Sequence, residues 1–134
     1  MKKLIFLLMA VLALSAARSQ SVTTLTWSGY GNTLDTVTNT GTKYAGFTNS
    51  RPASAVSIFL KVTKISGTVG GTISWQGSHD GTNYVSISTT SASDATANYQ
   101  YNVVGQPPFK YYRASWTGTG TMSASVSGSY IIWR

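Results

Sequence analysis

The sequence of 134 residues contains no cysteine, a single histidine and only three acidic residues. Without cysteine the chain can form no disulfide, no thiolate metal site and no cysteine nucleophile, so its stability depends on its core and its strand pairing. Proton transfer at neutral pH would have to use His79, Asp35, Asp80 or Asp94. The composition therefore argues against an enzyme before any motif is considered.

The positions of these residues strengthen that argument. The three aspartates lie in turn-like or polar stretches, whereas a glycosidase needs two carboxyl groups that flank one bond. A serine hydrolase needs a histidine oriented by a separate acid, but Asp80 directly follows His79. We expect no catalytic residue. A hydrolase stays open as a third alternative, which turnover abolished by changing His79 or Asp80 to alanine would support.

His79 and Asp80 also offer only two metal ligands, whereas structural zinc takes four and calcium takes roughly six to eight oxygens. The better interpretation is an exposed turn in which Asp80 hydrogen-bonds its own backbone and Gly81 adopts a positive φ. We therefore predict no metal and no cofactor.

Residues 1–19 have the composition of a signal peptide. A positive start at Met1-Lys2-Lys3 precedes an apolar run, and Ala17-Arg18-Ser19 gives a small-x-small cleavage site. The apolar run is shorter than the roughly 18 residues that span a bilayer. Cleavage would leave one domain, residues 20–134, that is secreted or held at the extracellular surface. An uncleaved membrane anchor is the alternative, and it would be the chain's only contact with a membrane.

Outside that leader, seven basic residues and three aspartates leave a net charge of +4. The basic residues are scattered along the chain, whereas a nucleic-acid site needs a dense basic face. We predict a slightly basic, solvated surface and no nucleic-acid partner.

Period-two alternation of apolar and polar residues dominates the rest of the chain, most clearly in three runs from Ser54 to Ile87 and in the last run, Met122–Ile132. No stretch after the leader keeps a helical period. The pattern predicts an all-β fold, an antiparallel two-sheet, jelly-roll-like β-sandwich of about eight or nine strands. Val22–Trp27 reads as one strand, Val85 and Ile87 as inward residues, and Thr89–Thr96 as a loop.

The aromatic residues divide by strand phase. The inward set fills the core: Trp27, Trp75, Trp116, Tyr99, Tyr101, Tyr112 and Tyr130. A second set lies in loops or outward phases: Tyr30, Tyr44, Phe59, Tyr84, Tyr111, Ile131 and Trp133. Exposed aromatic surface is typical of a sugar-stacking platform or a protein contact. The candidate site residues are Tyr30, Tyr84, Tyr111, Ile131 and Trp133, with His79 and Asp80 in the loop. Ile131 and Trp133, near the chain end, are the favoured contact pair.

Two segments carry a resemblance to known families. Gly77-Ser78-His79-Asp80-Gly81-Thr82-Asn83-Tyr84, followed by Lys110-Tyr111-Tyr112-Arg113-Ala114-Ser115-Trp116-Thr117-Gly118-Thr119-Gly120-Thr121, resembles the GSxDGxxW…YYRv…TGTGT pattern of small β-sandwich domains in bacteriophage and prophage virion proteins. The similarity covers Val56 to Ser129. A looser likeness links the Ser-x-Asp-Gly-x-x-aromatic hairpin and the Tyr-x-Arg strand to discoidin-type carbohydrate-binding sandwiches. This chain departs from both patterns, because Tyr84 stands where tryptophan is common and because phage structural proteins usually lack an export signal.

The phage resemblance implies a non-enzymatic virion-surface or secreted structural or adhesive module. Such a module self-assembles as an oligomer or decorates a larger particle, so its partners would be itself or other structural proteins, and it would lie in the virion if phage-encoded. The alternative is a carbohydrate-binding module of a secreted or cell-surface system, with glycans as partners.

Overall fold

The computed structural model describes residues 21–27, 34–105 and 107–134. These residues form ten strands: β1 (Val22–Thr24), β2 (Thr26–Trp27), β3 (Leu34–Thr38), β4 (Thr42–Thr48), β5 (Ala55–Gly67), β6 (Gly71–Ser78), β7 (Val85–Ser91), β8 (Ala97–Val104), β9 (Tyr111–Gly118) and β10 (Met122–Trp133). Within these ranges no helix forms, so none is long and apolar enough to cross a membrane. The predicted all-β class is confirmed.

The strands form two antiparallel sheets. Sheet A has the order β1-β10-β5-β8, with β3 pairing β10 beyond the end of β1, and sheet B has the order β2-β4-β9-β6-β7. From β3 onward, the orders β3-β10-β5-β8 and β4-β9-β6-β7 are those of a jelly roll, in which every two consecutive strands except β6 and β7 lie in different sheets. The predicted jelly-roll-like sandwich is therefore confirmed.

The core lies between the sheets and is built from the inward phases of the long strands. Trp75, Trp116 and Tyr112 are its largest fully buried side chains. The aliphatic residues that complete it include Val56, Ile58, Leu60, Val62, Ile73, Ala124 and Val126. Tyr99, Tyr101 and Tyr130 are partly buried and pack against this cluster. The inward aromatic residues are thus as predicted, except that the Trp27 side chain lies outside the described part.

The predicted single strand Val22–Trp27 is wrong. It is two short strands that pair with different sheets, β1 with β10 and β2 with β4. Leu25 lies between them, buried in the core, and its N–H donates to the Gly128 carbonyl at 2.9 Å. A Cβ at Gly128 would lie 2.9 Å from Leu25 Cδ1, so the glycine leaves the space that Leu25 fills. This crossing adds a strand, which explains why ten are present instead of eight or nine.

The end of the hairpin β6–β7 also differs from the prediction. β7 continues to Ser91, past the expected start of the loop, and Val85 is 55% exposed instead of inward. Val85 pairs with Gly77 on an edge strand. The ring of Phe109 occupies the inner side of Gly77, where a Cβ would collide with it, so Val85 finds no core partner there.

Candidate ligand-binding site

The outer face of sheet B carries one row of residues that come from four strands. Thr26 on β2 pairs with Gly46 on β4, Gly46 with Arg113 on β9, and Arg113 with Gln76 on β6. Because Gly46 has no side chain, the row has a gap between Thr26 and Arg113. A Cβ at 46 would approach the Tyr112 carbonyl oxygen to 2.7 Å and Arg113 Cβ to 3.0 Å, so the backbones lie close at this point.

This gap widens into a cleft of about 420 Å³. Its lining residues are Thr26, Tyr44, Gly46, Gly81, Thr82, Tyr84 and Arg113. The volume falls within the roughly 300 to 1,000 Å³ of small-molecule sites. The lining combines two tyrosine rings, two threonine hydroxyls and one cation, a set that suits a polar ligand with apolar faces.

Arg113 is fixed within the cleft by three contacts. Its guanidinium carbon lies 3.7 Å from the centroid of the Tyr84 ring and 5.2 Å from that of Tyr44. Its Nε donates to Gln76 Oε1 at 2.6 Å. Cation–π contacts and a charged hydrogen bond together hold the planar guanidinium in one orientation.

No carboxylate of the described residues lies within 4.0 Å of the Arg113 guanidinium. The three aspartates are engaged elsewhere. Asp35 pairs with Lys43 at 3.2 Å, and Asp94 pairs with Lys64 at 2.7 Å.

Asp80 organises the loop that forms one wall of the cleft. Its Oδ1 accepts the backbone N–H groups of Thr82 and Asn83, both at 2.8 Å, and the Ser78 hydroxyl at 2.8 Å. Its Oδ2 accepts the Asn83 side-chain amide at 2.7 Å. These hydrogen bonds, those from Asn83 foremost, hold the pKa of Asp80 well below its usual range. Its oxygens are thus used within the loop, as the turn interpretation predicts.

The same loop rests on Tyr111. Gly81 has a φ of 78°, in the left-handed region, and a Cβ there would lie 3.3 Å from the Tyr111 ring. The Lys110 ammonium lies 5.2 Å from the centroid of that ring. Tyr111 therefore supports the loop from beneath, whereas Tyr84, at the end of the loop, lines the cleft itself.

His79 lies outside the cleft. It is exposed, and its ring centroid is 5.0 Å from that of Phe109 in a tilted contact. The described part of the chain contains no group of three histidine, cysteine, aspartate or glutamate residues that could hold a metal ion.

The predicted site residues do not form one site. Tyr111 lies on sheet B and Tyr84 in the loop that joins two of its strands, whereas Ile131 and Trp133 lie on sheet A, and Tyr30 lies outside the described residues. The C-terminal strand β10 is an inner strand of sheet A. Ile131 pairs with Val22 on one side and with Ser57 on the other, and both Ile131 and Trp133 are half-buried.

Trp133 borders a second cleft, of about 400 Å³, on the outer face of sheet A. Its wall includes Gln100 and Asn102, whose amides hydrogen-bond to each other at 3.0 Å, and the exposed Val104. In contrast to the cleft on sheet B, it contains no charged side chain among its lining residues.

Sequence reasoning missed Arg113, Gln76 and Gly46 as site residues and named Tyr44 only as an outward aromatic. A signal for Arg113 was present, since it shares the outward phase of β9 with Tyr111. The grouping with Gln76 and Gly46 depends on the register between strands far apart in sequence. The alternation of apolar and polar residues within one strand does not predict how that strand pairs with a distant one.

No family model matches the sequence, and no curated protein matches it. Among solved structures, a CBM4 carbohydrate-binding module is similar with a TM-score of 0.52 at 10% identity, over 82% of this chain and 78% of the other. The C-terminal domain of a chitobiase from Bacteroides fragilis is similar with a TM-score of 0.50 at 16% identity, over 89% and 97% of the chains.

The enzymatically active domain of tailspike protein 4 from bacteriophage CBA120 gives a TM-score of 0.53 at 9% identity, over 87% of this chain. This chain spans only 19% of that tailspike structure. The resemblance to carbohydrate-binding sandwiches therefore holds at the level of the fold, whereas the likeness to a phage protein covers only a small part of that protein.

Proposed function

We propose that this protein is a non-catalytic carbohydrate-binding module that binds a glycan in the cleft on sheet B. The observation that carries the proposal is that the Arg113 guanidinium contacts the rings of Tyr84 and Tyr44 in a cleft of about 420 Å³. A sugar presents flat C–H faces to aromatic rings and hydroxyls to planar polar groups, and both partners are available here.

The two rings have different roles in this proposal. Tyr84 has one face covered by the guanidinium at 3.7 Å, so it acts as a wall that fixes Arg113. Tyr44 is 50% exposed and more distant from Arg113, so it is the stacking platform for a sugar ring. Thr26 and Thr82 supply hydroxyls at the rim of the cleft.

The similarity in fold to a carbohydrate-binding module supports this proposal. Residues 1–19 would direct export in this proposal, and residues 20–134 would act outside the cell as one domain. Mass spectrometry of the protein recovered from the medium tests the export step, and we expect that protein to begin at Gln20.

Binding to a panel of soluble neutral and acidic polysaccharides, measured by affinity electrophoresis and calorimetry, tests the function. We expect Tyr44→Ala to weaken binding at least about tenfold, which is about 1.4 kcal/mol, and Tyr84→Ala to weaken it similarly. Trp133→Ala, an aromatic truncation on the opposite sheet, is the matched control and should bind like the natural protein. Failure of every polysaccharide to bind, or loss of binding in Trp133→Ala alone, would contradict the proposal.

A second candidate function is self-association through the outer face of sheet A. Apolar side chains remain exposed on that sheet at Val22, Leu34, Phe59 and Val104, the last 88% exposed. Exposed apolar groups of this kind are typical of protein contacts. Light scattering after size exclusion tests this function. We expect an oligomer whose size depends on concentration and which Phe59→Lys dissociates. A strict monomer at high concentration would contradict self-association.

A further inference from the structure

We infer that the glycan bound by this protein is acidic, and that Arg113 binds an oxyanion on it, the carboxylate of a uronic acid or a sulfate ester. The inference rests on the proposed function, because it concerns the same cleft. It adds the chemical class of the ligand and assigns a specificity-determining role to one side chain.

The first step is the unused hydrogen-bonding capacity of Arg113. A guanidinium has five N–H donors, and within the described part of the chain the Arg113 side chain makes a single hydrogen bond, from Nε to Gln76. Its two terminal nitrogens make none to these residues. They are the donors that form the planar fork matching a carboxylate or sulfate through two parallel hydrogen bonds.

The second step is the missing counter-ion. Arg113 is half-buried, and none of the described carboxylates lies within 4.0 Å of it. A partly desolvated cation without a counter-ion is unfavourable, and an anionic ligand would supply one. The other residues that line the cleft are uncharged, so nothing in the lining competes for the guanidinium.

The third step is the surrounding charge. Asp80 is the acid in the adjacent loop, and its two oxygens already accept four hydrogen bonds from Ser78, Thr82 and Asn83. Lys110, beside Tyr111, adds a positive charge to the same sheet. Arg113 and Lys110 together outweigh the negative charge of Asp80, so an anionic polysaccharide would approach a net positive face, which favours association at low ionic strength.

The fourth step is preorganisation. The contacts with Tyr84, Tyr44 and Gln76 already restrict the long Arg113 side chain in the empty cleft. Ordering such a side chain on binding has an entropic cost when it is free beforehand, and that cost is reduced here. The Arg113 guanidinium is thus ordered, and its terminal N–H groups are available to a ligand. It is therefore suited to select a ligand by charge, in addition to packing against the two tyrosines.

The test compares charged and uncharged polysaccharides that share a backbone. Calorimetry with the purified protein would use polygalacturonate and its methyl-esterified form for a carboxylate, and a sulfated galactan and its desulfated form for a sulfate. We expect one acidic member to bind at least about tenfold more tightly than its uncharged counterpart, and raising NaCl from about 50 to about 500 mM to weaken it. The pair that shows the difference identifies the anion.

Arg113→Gln should abolish that charge preference, whereas Lys61→Gln, the same loss of charge on sheet A, should leave it unchanged. Thermal unfolding verifies that each variant is folded. The comparison of esterified and free ligand uses the natural protein, so it decides the matter even if Arg113→Gln fails to fold. Equal binding of charged and uncharged forms would overturn the inference and leave the proposed function standing, whereas no binding of any glycan would overturn both.

Discussion

The guanidinium carbon of Arg113 lies 3.7 Å from the centroid of the Tyr84 ring. This contact joins the middle of β9 to the residue that precedes β7, so the sheet and the 78–84 loop are fixed relative to each other. Arg113 is also held by Gln76 on β6, whose Oε1 accepts a hydrogen bond from its Nε. The shape of the cleft is therefore coupled to the packing of three strands, and changes to residues that no ligand touches should alter binding.

Replacing Gln76 by alanine tests this coupling. Arg113 Nε would lose the acceptor that lies 2.6 Å away, and its orientation would then depend on the two rings alone. We expect the free energy of unfolding in urea to fall by about 1 kcal/mol, less than the roughly 1.5–3 kcal/mol of a hydrogen bond to a charged group, because the site is partly solvated. Glycan affinity should fall severalfold.

The matched control for that variant is Gln100→Ala on sheet A. Gln100 donates to Ser57 at 3.1 Å and to Asn102 at 3.0 Å, both neutral acceptors, and it is exposed. It should cost less stability and leave glycan binding unchanged. Equal effects of the two variants on binding would show that Gln76 does not position Arg113.

Gly46→Ala should damage the floor of the cleft. The new Cβ would lie 2.7 Å from the Tyr112 carbonyl oxygen and 3.0 Å from Arg113 Cβ, so two paired backbones must separate. Overpacking of this kind costs about 1–3 kcal/mol, and we expect a loss of stability in that range together with weaker glycan binding. Gly70→Ala is the control, because its new Cβ meets only the Thr119 hydroxyl, a side chain that can turn away. Similar losses for both glycines would contradict this interpretation.

Alternation along each strand was enough to predict the two sheets and the buried Trp75, Trp116 and Tyr112, because burial on one face of a strand imposes a period of two. It was not enough for Leu25, where the chain crosses between sheets without a glycine or proline to mark the change. The candidate site was harder still. Arg113 and Gln76 are adjacent only because β6 and β9 pair in one register, which is set by the whole sandwich.

The acid sensitivity of the protein should depend on Asp80. Hydrogen bonds, those from Asn83 foremost, hold its pKa below the ordinary value of about 3.9, so protonation favours the unfolded chain. The stability that Asp80 contributes is fully present above that ordinary value. It is lost as the pH falls below about 4 toward the pKa of the folded state.

Asp80→Asn should therefore unfold at a lower temperature than the natural protein at neutral pH, and the gap should narrow in acid. Circular dichroism melting between about pH 2 and pH 6 measures it. Some acid sensitivity will remain in the variant, because the hydrogen bond from Lys64, more than any other contact, also lowers the pKa of Asp94. A constant gap between the two proteins across this range would argue against a charged Asp80 as the organiser of the loop.

Leu25 and Gly128 should be energetically coupled where the chain crosses between sheets. Leu25→Ala removes a buried side chain and should cost about 2–5 kcal/mol. Gly128→Ala should cost about 1–3 kcal/mol, because its Cβ would lie 2.9 Å from Leu25 Cδ1 and 2.8 Å from Leu60 Cδ2. Removing Leu25 relieves the first clash but not the second, so the double variant should be more stable than the sum of the single changes predicts, by at least about 0.5 kcal/mol.

Urea unfolding of the two single variants and the double variant measures that difference. Gly128→Ala combined with Ile73→Val, a small truncation in the other sheet, provides the additive reference. Strict additivity for the Leu25 pair would mean that Leu25 does not occupy the space beside Gly128. A measured coupling would show that the segment before β2 packs against the centre of β10. That packing positions Thr26 at the rim of the cleft, where a ligand can contact it.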